Sequence, residues 1–294
     1  MKTILVPTDF SKNADNACKY AIEIAKETKS KIILMHAYET PVLYTEVPLT
    51  MQMDYMVLAK SASVELKKYH DKISKTAKGV KIELVLQQGL ASARIKEIAL
   101  EKKVDLIVVG TTGKGALEKM IMGSNAARII RKTPCLVLAI PPKAKYEGLK
   151  KIVYATDLLN ENLNHAKTLI PFAKIFNSEI LFLNVNTHLL SGNEEDDLKK
   201  IRTKIKSHVR YPKTSGYVCN DGNVANGINF FLKKHKADCL AMYTHHRGIW
   251  ENIFKPSITK EVAIHPFIPL LVIHENDFAG ETQEMKFQKE KMMN

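Results

Sequence analysis

The sequence predicts an α/β protein made of two tandem doubly wound, Rossmann-like domains, each a five-stranded, mainly parallel sheet flanked by helices. Short apolar segments of strand length alternate with longer segments whose apolar residues recur at helical spacing, which is typical of parallel α/β sheets. The same order of segments then occurs a second time, so the 294 residues divide into two similar halves. These two observations define the fold class.

The repeat is clearest where the first strand of each half ends. Residues Lys2–Asp9 resemble Lys150–Asp157 at an offset of 148. Farther along, Leu138–Ile140 resembles Leu271–Ile273 at an offset of 133, so the first half carries about 15 additional residues. The chain is therefore predicted to contain one domain at 1–141, a second at 149–275, and a disordered polar tail at 276–294.

The first half illustrates how each element is predicted. Ala17, Ala21 and Ile24 recur on one face of the first expected helix, and Leu106–Val109 is continuously apolar, as buried parallel strands are. A match of Gln88-Gly89 with Asp221-Gly222 aligns the third strands of the two halves. The expected strands lie at 4–6, 32–37, 81–86, 106–109 and 135–140, and the expected helices at 13–29, 51–76, 92–102 and 124–132.

The composition argues against several classes of protein and several kinds of binding partner. The net charge is +13, but only six of the 44 basic residues are arginine, which argues against sequence-specific DNA recognition. The longest apolar runs are of strand length, and the N-terminal one is too short for a signal peptide. The four cysteines have no metal-binding spacing, and disulfides are not indicated. We therefore expect a cytoplasmic protein with no membrane partner.

Two loops of the first half are expected to form a ligand site. In doubly wound sheets, ligands bind beyond the carboxyl ends of the strands, where the strand order reverses. Pro7–Ser11 follows the first strand, and Gly110–Gly115 follows the fourth, ahead of Gly123 and a helix that Ser124 is expected to cap. Glycines allow close approach of an anion, and a helix N-terminus offers N–H groups, so these loops predict a phosphate site.

The known nucleotide motifs do not fit these loops. A Walker A loop requires serine or threonine after its lysine, but Lys114 is followed by Gly115. A dinucleotide fingerprint would place glycines after the first strand, where the sequence has Pro7-Thr8-Asp9. A glycine-rich turn that only ends a strand remains the alternative for each loop taken alone.

The glycine pattern resembles that of the universal stress protein family. The pattern is Gly110-x2-Gly113-x9-Gly123-Ser124 after a Val-Val strand, and the N-terminal strand ends in Val-Pro-Thr-Asp-Phe-Ser. The resemblance extends over essentially the whole chain as two tandem copies. In that family the pattern marks members that bind ATP, commonly together with Mg²⁺ or Mn²⁺.

The resemblance also implies roles for individual residues. Asp9 would approach the ribose, Ala37 would contact adenine through its main chain, and Val109 and Gly110 would line the ribose and adenine side. Phosphates would be held by Gly113, Gly123, Ser124 and Asn125. The full expected nucleotide site is Pro7, Thr8, Asp9, Ala37, Val109, Gly110, Gly113, Gly123, Ser124 and Asn125.

The second half departs from this pattern. Tyr243, His246 and Pro256 stand where the first half has its three glycines, and each adds bulk or removes an N–H. We therefore expect ATP to bind the first domain only, and the second domain to be structural. In the family, domains pair through their last strands, so Leu136–Ile140 is expected beside Leu270–Ile273 in an intramolecular pseudo-dimer, and a homodimer is compatible with this.

Three other residues have two interpretations. His245-His246 would suit a metal or phosphate, but adjacent histidines cannot easily face one ion, so a loop that replaced glycines is favoured. His36, at the end of the second strand, either lies near adenine or is a histidine of the core. No metal site and no catalytic residue is assigned.

The function that these observations favour is a cytoplasmic, ATP-binding stress-response module that signals through nucleotide occupancy. A slow ATPase or nucleotidyl transferase is the first alternative, for which Asp9 is the only candidate base. A nucleic-acid binder driven by lysines is the second, although no aromatic residues are interleaved with the basic ones. Recovery of intact nucleotide favours the first function, and salt-dependent DNA binding that ATP does not affect favours the last.

Overall fold

The computed structural model describes residues 1–39, 49–113, 123–133, 135–158, 160–187, 194–244 and 267–274. It confirms the α/β fold class, and the chain divides into two compact units, Met1–Thr133 and Pro134–Asn294. Several predicted features lie outside the described residues. These are the glycine-loop residues 114–122, the second-half residues His245, His246 and Pro256, and the expected tail at 276–294.

The first unit is a parallel sheet with the order β3-β2-β1-β4. The strand order reverses at β1, because β2 and β3 lie on one side of it and β4 lies on the other. The described helices and strands begin and end close to the predicted positions. They are β1 (Thr3–Pro7), α1 (Lys12–Thr28), β2 (Lys31–Tyr38), α2 (Leu49–Ser74), β3 (Ile82–Gln88), α3 (Ala91–Glu101), β4 (Leu106–Gly110) and α4 (Ser124–Lys132).

Helix α1 shows why these residues form these elements. The side chain of Ser11 accepts a hydrogen bond from the N–H of Ala14, which satisfies one of the free donors at the helix start. Ala17, Ala21 and Ile24 are fully buried, as their spacing predicts. The helix ends at Thr28, and the next residue, Lys29, has a left-handed backbone conformation.

The second unit contains six strands in the order β5-β10-β9-β6-β7-β8. All described pairs are parallel except β5 with β10, which are antiparallel with Leu138 opposite Leu271, so these two strands are neighbours as predicted. The elements are β5 (Leu136–Ile140), β6 (Lys151–Ala155), α5 (Asn160–His165), a 3₁₀ helix (Ala166–Thr168), α6 (Leu169–Phe176), β7 (Glu179–Asn186), α7 (Glu194–His208), β8 (Thr214–Asn220), α8 (Val224–His235), β9 (Cys239–Thr244) and β10 (Leu270–His274).

The two units repeat the same turns. Phe10 and Leu158 have φ of 62° and 63°, and the N–H of each donates to the hydroxyl of the threonine two residues earlier, at 3.0 Å. Asp105 accepts the main-chain N–H groups that begin β1, and Asp238 accepts those that begin β6. Because both units make these same local hydrogen bonds, the sequences of the two halves are similar at these strand ends.

The register of the third strands corrects the sequence alignment by one residue. Tyr38 pairs with Gln88, and the equivalent Asn186 pairs with Asn220. Gln88 therefore corresponds to Asn220, and not to Asp221 as the sequence match predicted. The offset is 132 in this strand and 133 again in β4 and β9, where Leu106 and Cys239 pair with equivalent residues. One extra residue between β8 and α8 absorbs the difference.

Candidate functional site

A pocket of about 530 Å³ lies where the strand order of the first unit reverses. It is bounded by the carboxyl ends of β1, β2 and β4 and by the start of α4. All ten residues of the predicted nucleotide site line it: Pro7, Thr8, Asp9, Ala37, Val109, Gly110, Gly113, Gly123, Ser124 and Asn125. The fold thus brings four separate sequence segments to one concave surface.

The loops after β1 and β4 meet at Asp9 and Gly113. Asp9 Oδ1 accepts a hydrogen bond from the N–H of Ser11 at 3.0 Å, which orients the carboxylate at the start of α1. A Cβ atom added at Gly113 would stand 2.7 Å from Asp9 Oδ2, which is closer than real Cβ contacts. A side chain at this position would therefore force the Asp9 carboxylate to move.

The main chain at Gly110 lies close to the first turn of α1, and this contact requires glycine at position 110. A Cβ atom there would stand 2.9 Å from Asn13 Nδ2 and 3.0 Å from the Asn13 main-chain oxygen. Asn13 is buried, and its Nδ2 donates to Thr112 Oγ1 at 3.0 Å and to the Thr112 carbonyl at 3.3 Å. The side chain of Asn13 therefore fastens the loop after β4 to α1.

Sequence reasoning did not identify Asn13. The available signal was a polar residue at the helical spacing of Ala17 and Ala21, on the face that α1 otherwise buries. A buried amide there requires hydrogen-bond partners, and the loop supplies them.

The start of α4 differs from the prediction at one residue. Gly123 is the N-cap and Ser124 is the first helical residue, so Ser124 does not cap the helix. Gly123 makes no side-chain cap, and its N–H donates to the Thr111 carbonyl at 2.8 Å. The next three N–H groups, of Ser124, Asn125 and Ala126, have no acceptor within the helix, and all three residues line the pocket. This positive end of the helix suits an anion.

His36 lies outside the lining of the pocket and holds the loop after β1. Its Nδ1 is 2.8 Å from the Thr8 carbonyl oxygen, to which it donates, and its ring contacts that of Phe10 with centroids 4.4 Å apart. In the second unit, Asn184 stands at the equivalent position and donates to the Thr156 carbonyl at 3.0 Å. The shared bond supports the structural interpretation of this histidine.

Among the described residues, the acidic side chains that line the pocket are those of Asp9 and Glu39, and Glu39 was not predicted. Glu39 follows β2 directly, so its only sequence signal was its position beyond a predicted strand end. No group of three or more histidine, cysteine, aspartate or glutamate side chains is placed to hold a metal within the part of the chain that the structure describes.

In the second unit, an aromatic ring stands at the position of Gly110 and stacks on a histidine of the equivalent helix, one turn beyond the position of Asn13. Tyr243 stands at the position of Gly110, and His165 stands at the position of Ala17. The two rings stack with centroids 3.9 Å apart and an interplanar angle of 6°. Helix α5 ends at His165, and a 3₁₀ turn follows before α6. Within these described residues, the second unit therefore lacks the close contact that the first unit makes between an uninterrupted helix and a glycine, at Asn13 and Gly110.

The fold and the pocket define a doubly wound α/β protein with a ligand-sized cavity at the switch point of a parallel sheet. The model of the universal stress protein family matches residues 1–141. A universal stress protein of Methanocaldococcus jannaschii is 34% identical over 146 residues, covering 49% of this chain and 84% of that relative. One from Thermus aquaticus is 30% identical over 140 residues, covering 47% of this chain and 98% of that relative. The chain belongs to the universal stress protein family.

Solved structures extend the similarity of fold to both halves. The crystal structure of a universal stress protein from Archaeoglobus fulgidus superposes with a TM-score of 0.63 at 16% identity, covering 92% of this chain and 95% of that chain. At this identity the likeness concerns the fold. Among the residues that the structure describes, no helix combines the length and apolar character needed to cross a membrane.

Proposed function

We propose that the protein binds ATP in the pocket of its first unit and acts in the cytoplasm as a nucleotide-dependent stress-response module. The observation that carries this proposal is the convergence of the ten expected residues on one pocket of about 530 Å³. A cavity of this size falls in the usual range for small-molecule sites. The exposed start of α4 supplies free N–H groups and the positive end of a helix, which a polyphosphate needs.

In the proposed arrangement, the N–H groups of Ser124 and Asn125 bind phosphate oxygens. The Asp9 carboxylate accepts from the ribose, and the main chain of Ala37 contacts the adenine. Mg²⁺ would enter with the nucleotide and take most of its ligands from phosphate oxygens and water, because the described residues contain no cluster of ligating side chains. Among the described residues, Asp9 lies beside Gly113, and its carboxylate would be a protein ligand of this Mg²⁺ or a partner of its water shell.

We further propose that the domains are residues 1–141 and 149–275, with the second one structural. Its stacked Tyr243 and His165 support the absence of a second ATP site, since they place two rings where the first unit has only Gly110 and Ala17. The antiparallel pairing of β5 with β10 supports an intramolecular pseudo-dimer, because these strands end the first and second repeats in sequence.

The experiment compares ATP binding to the full chain and to two matched variants by calorimetry. Asp9→Ala should weaken binding about tenfold to a hundredfold, since it removes a charged hydrogen-bond acceptor. Asp157→Ala changes the equivalent residue of the second repeat and should leave the affinity unchanged, at one ATP per chain. Mass spectrometry of nucleotide recovered from the complex should find intact ATP. Equal effects of both variants would contradict the proposed site, and conversion to ADP that Asp9→Ala abolishes would favour an enzyme.

A further inference from the structure

A second pocket of the first unit, of about 520 Å³, lies where β1, β2 and β3 begin. This is the opposite end of the strands from the proposed ATP site, and a five-residue strand separates the two ends by roughly 15 Å. We call it the lysine pocket, because six lysines line it: Lys2, Lys26, Lys29, Lys31, Lys78 and Lys81. Ala25, Ser30 and Gly79 complete its described lining, which contains no carboxylate, arginine or aromatic ring.

Most of this positive charge is not neutralised by the protein. Lys26 pairs with Glu23 at 2.8 Å, and Lys31 pairs with Glu83 at 3.3 Å. Within the described part of the chain, no carboxylate pairs with any of the other four lysines. Like charges gathered on one concave surface repel each other and raise the local concentration of anions. The lysine pocket therefore has the electrostatic character of an anion site.

The second unit provides an internal comparison, because its equivalent surface is closed and less basic. Ile32 pairs with Ile82, and the equivalent Ile180 pairs with Thr214, which fixes the correspondence. Counting back from these strands, Tyr211 takes the position of Gly79. Its buried hydroxyl donates to the Ser178 carbonyl at 2.7 Å. At Gly79 a Cβ atom would meet nothing within 4 Å.

The charges of this surface differ in the same direction. Asn177 takes the position of Lys29, and Glu179 takes that of Lys31. Lys213, at the position of Lys81, donates to Asn177 Oδ1 at 2.7 Å, so its ammonium group already has a hydrogen-bond partner within the protein. The other four positions keep a basic residue in the second unit: Lys150, Lys174, Arg210 and Lys213. One copy of the same fold thus fills this place with the Tyr211 side chain and carries less positive charge there, while the other leaves it open with six lysines. The fold alone therefore does not require the lysine pocket.

We propose that the lysine pocket binds a condensed phosphate anion, such as tripolyphosphate or the end of a longer inorganic polyphosphate. Lysine ammonium groups act as point charges for phosphate oxygens and do not need the planar geometry that arginine provides. Nucleic acid is disfavoured because the described lining has no aromatic ring on which a base could stack. The proposal does not depend on ATP binding, since the two pockets share no residue.

The test measures tripolyphosphate binding to the full chain by calorimetry at fixed ionic strength. The variant Lys29→Asn, Lys78→Gln, Lys81→Gln removes three charges, and Asn177 has the same left-handed conformation as Lys29, so the backbone accommodates the change. Its affinity for tripolyphosphate should fall at least about tenfold. The control Lys60→Gln, Lys67→Gln, Lys68→Gln removes three exposed charges from α2 and should change that affinity by less than about twofold.

Additional binding measurements distinguish the lysine pocket from the ATP pocket, from diffuse electrostatic attraction and from a nucleic-acid site. Tripolyphosphate binding should persist in Gly113→Val, which obstructs the proposed ATP pocket, and ATP binding should persist in the lysine-pocket variant. Loss of tripolyphosphate binding in Gly113→Val would overturn the proposal, since the anion would then occupy the ATP pocket. Equal losses in the lysine-pocket variant and the α2 control would overturn it in favour of diffuse attraction. Tighter, equally lysine-dependent binding of a single-stranded oligonucleotide would overturn it in favour of a nucleic-acid site.

Discussion

The carboxylate of Asp9 lies so close to the main chain of Gly113 that a methyl group on Gly113 would stand 2.7 Å from Asp9 Oδ2. These two residues come from loops more than a hundred positions apart in the sequence. Their contact joins the loop after β1 to the loop after β4 at the rim of the pocket. A change at either residue should therefore act on both loops.

Gly113→Val should weaken ATP binding by at least about tenfold, because the side chain must displace Asp9. Calorimetry with the full chain measures this effect. Gly123→Ala is the graded comparison, since its Cβ would lie at an ordinary 3.5 Å from the Thr111 carbonyl oxygen. The loss of ATP affinity in Gly123→Ala should be smaller than the loss in Gly113→Val. An affinity unchanged in Gly113→Val would mean that the phosphates do not lie at this loop.

Gly110→Ala should destabilise the first unit by about 1–3 kcal/mol, because the added methyl group collides with Asn13. Hydrogen exchange followed by mass spectrometry measures this, with faster exchange expected in α1 and β4 and unchanged exchange in α6 and β9. The double variant Asn13→Ala, Gly110→Ala should lose less than the sum of the single losses, since the Asn13 side chain makes part of the collision. Additive losses would contradict a direct contact.

Tyr243→Ala should destabilise the second unit by about 3–5 kcal/mol, because it removes a buried aromatic ring. His165→Ala, which leaves Tyr243 in place, should cost less, since it removes mainly the stacking contact at 3.9 Å. Urea unfolding measures both losses. Neither variant should create a second ATP site, because His246 and Pro256 still replace glycines. A stoichiometry of two ATP per chain in Tyr243→Ala would contradict this explanation.

The ionised side chain of Asp15 should stabilise the first unit at neutral pH, and this stabilisation should be lost in acid. Partial burial acts to raise the pKa of Asp15, but hydrogen bonds and charges from Lys19 and Lys72 outweigh it and hold the pKa below its usual value of 3.8. A carboxyl whose pKa is lowered by folding stabilises the folded state above that usual value, and this is lost as pH falls through the folded-state pKa.

Asp15→Asn should therefore lower the free energy of unfolding at pH 7 by about 1 kcal/mol or less. Its deficit should shrink below about pH 4 and vanish at lower pH. Urea unfolding of both proteins across this range checks the prediction. The variant Lys19→Gln, Lys72→Gln should show the same loss at pH 7. A deficit that stays constant down to pH 2 would contradict the ion pairs as its cause.

The order of elements was predictable because it depends on local patterns. The face of α1 with Ala17 and Ala21, and the continuous apolar run of β4, are each read within one segment. The ten expected pocket residues were predictable in position for a related reason: the carboxyl ends of parallel strands share one edge of a sheet.

Other features depended on contacts between segments that no local pattern encodes. Asn13 resembles an ordinary polar residue of a first helical turn until Gly110 and Thr112 are placed beside it. The shift from Asp221 to Asn220 in the alignment required the register of β8 against β7. Ser124 was expected to cap α4 because serine favours that position, but the bond from Gly123 to Thr111 fixes the helix start one residue earlier.

The pairing of β5 with β10 has a consequence for how the chain is made. A ribosome completes Leu138 about 130 residues before its partner Leu271 emerges. At typical rates of synthesis this interval is on the order of ten seconds. During it, the buried apolar strand Leu136–Ile140 lacks its antiparallel neighbour, so the nascent chain exposes an edge to which other chains can bind. Expression yield should therefore respond to translation speed across residues 141–270 and to chaperones that protect nascent chains.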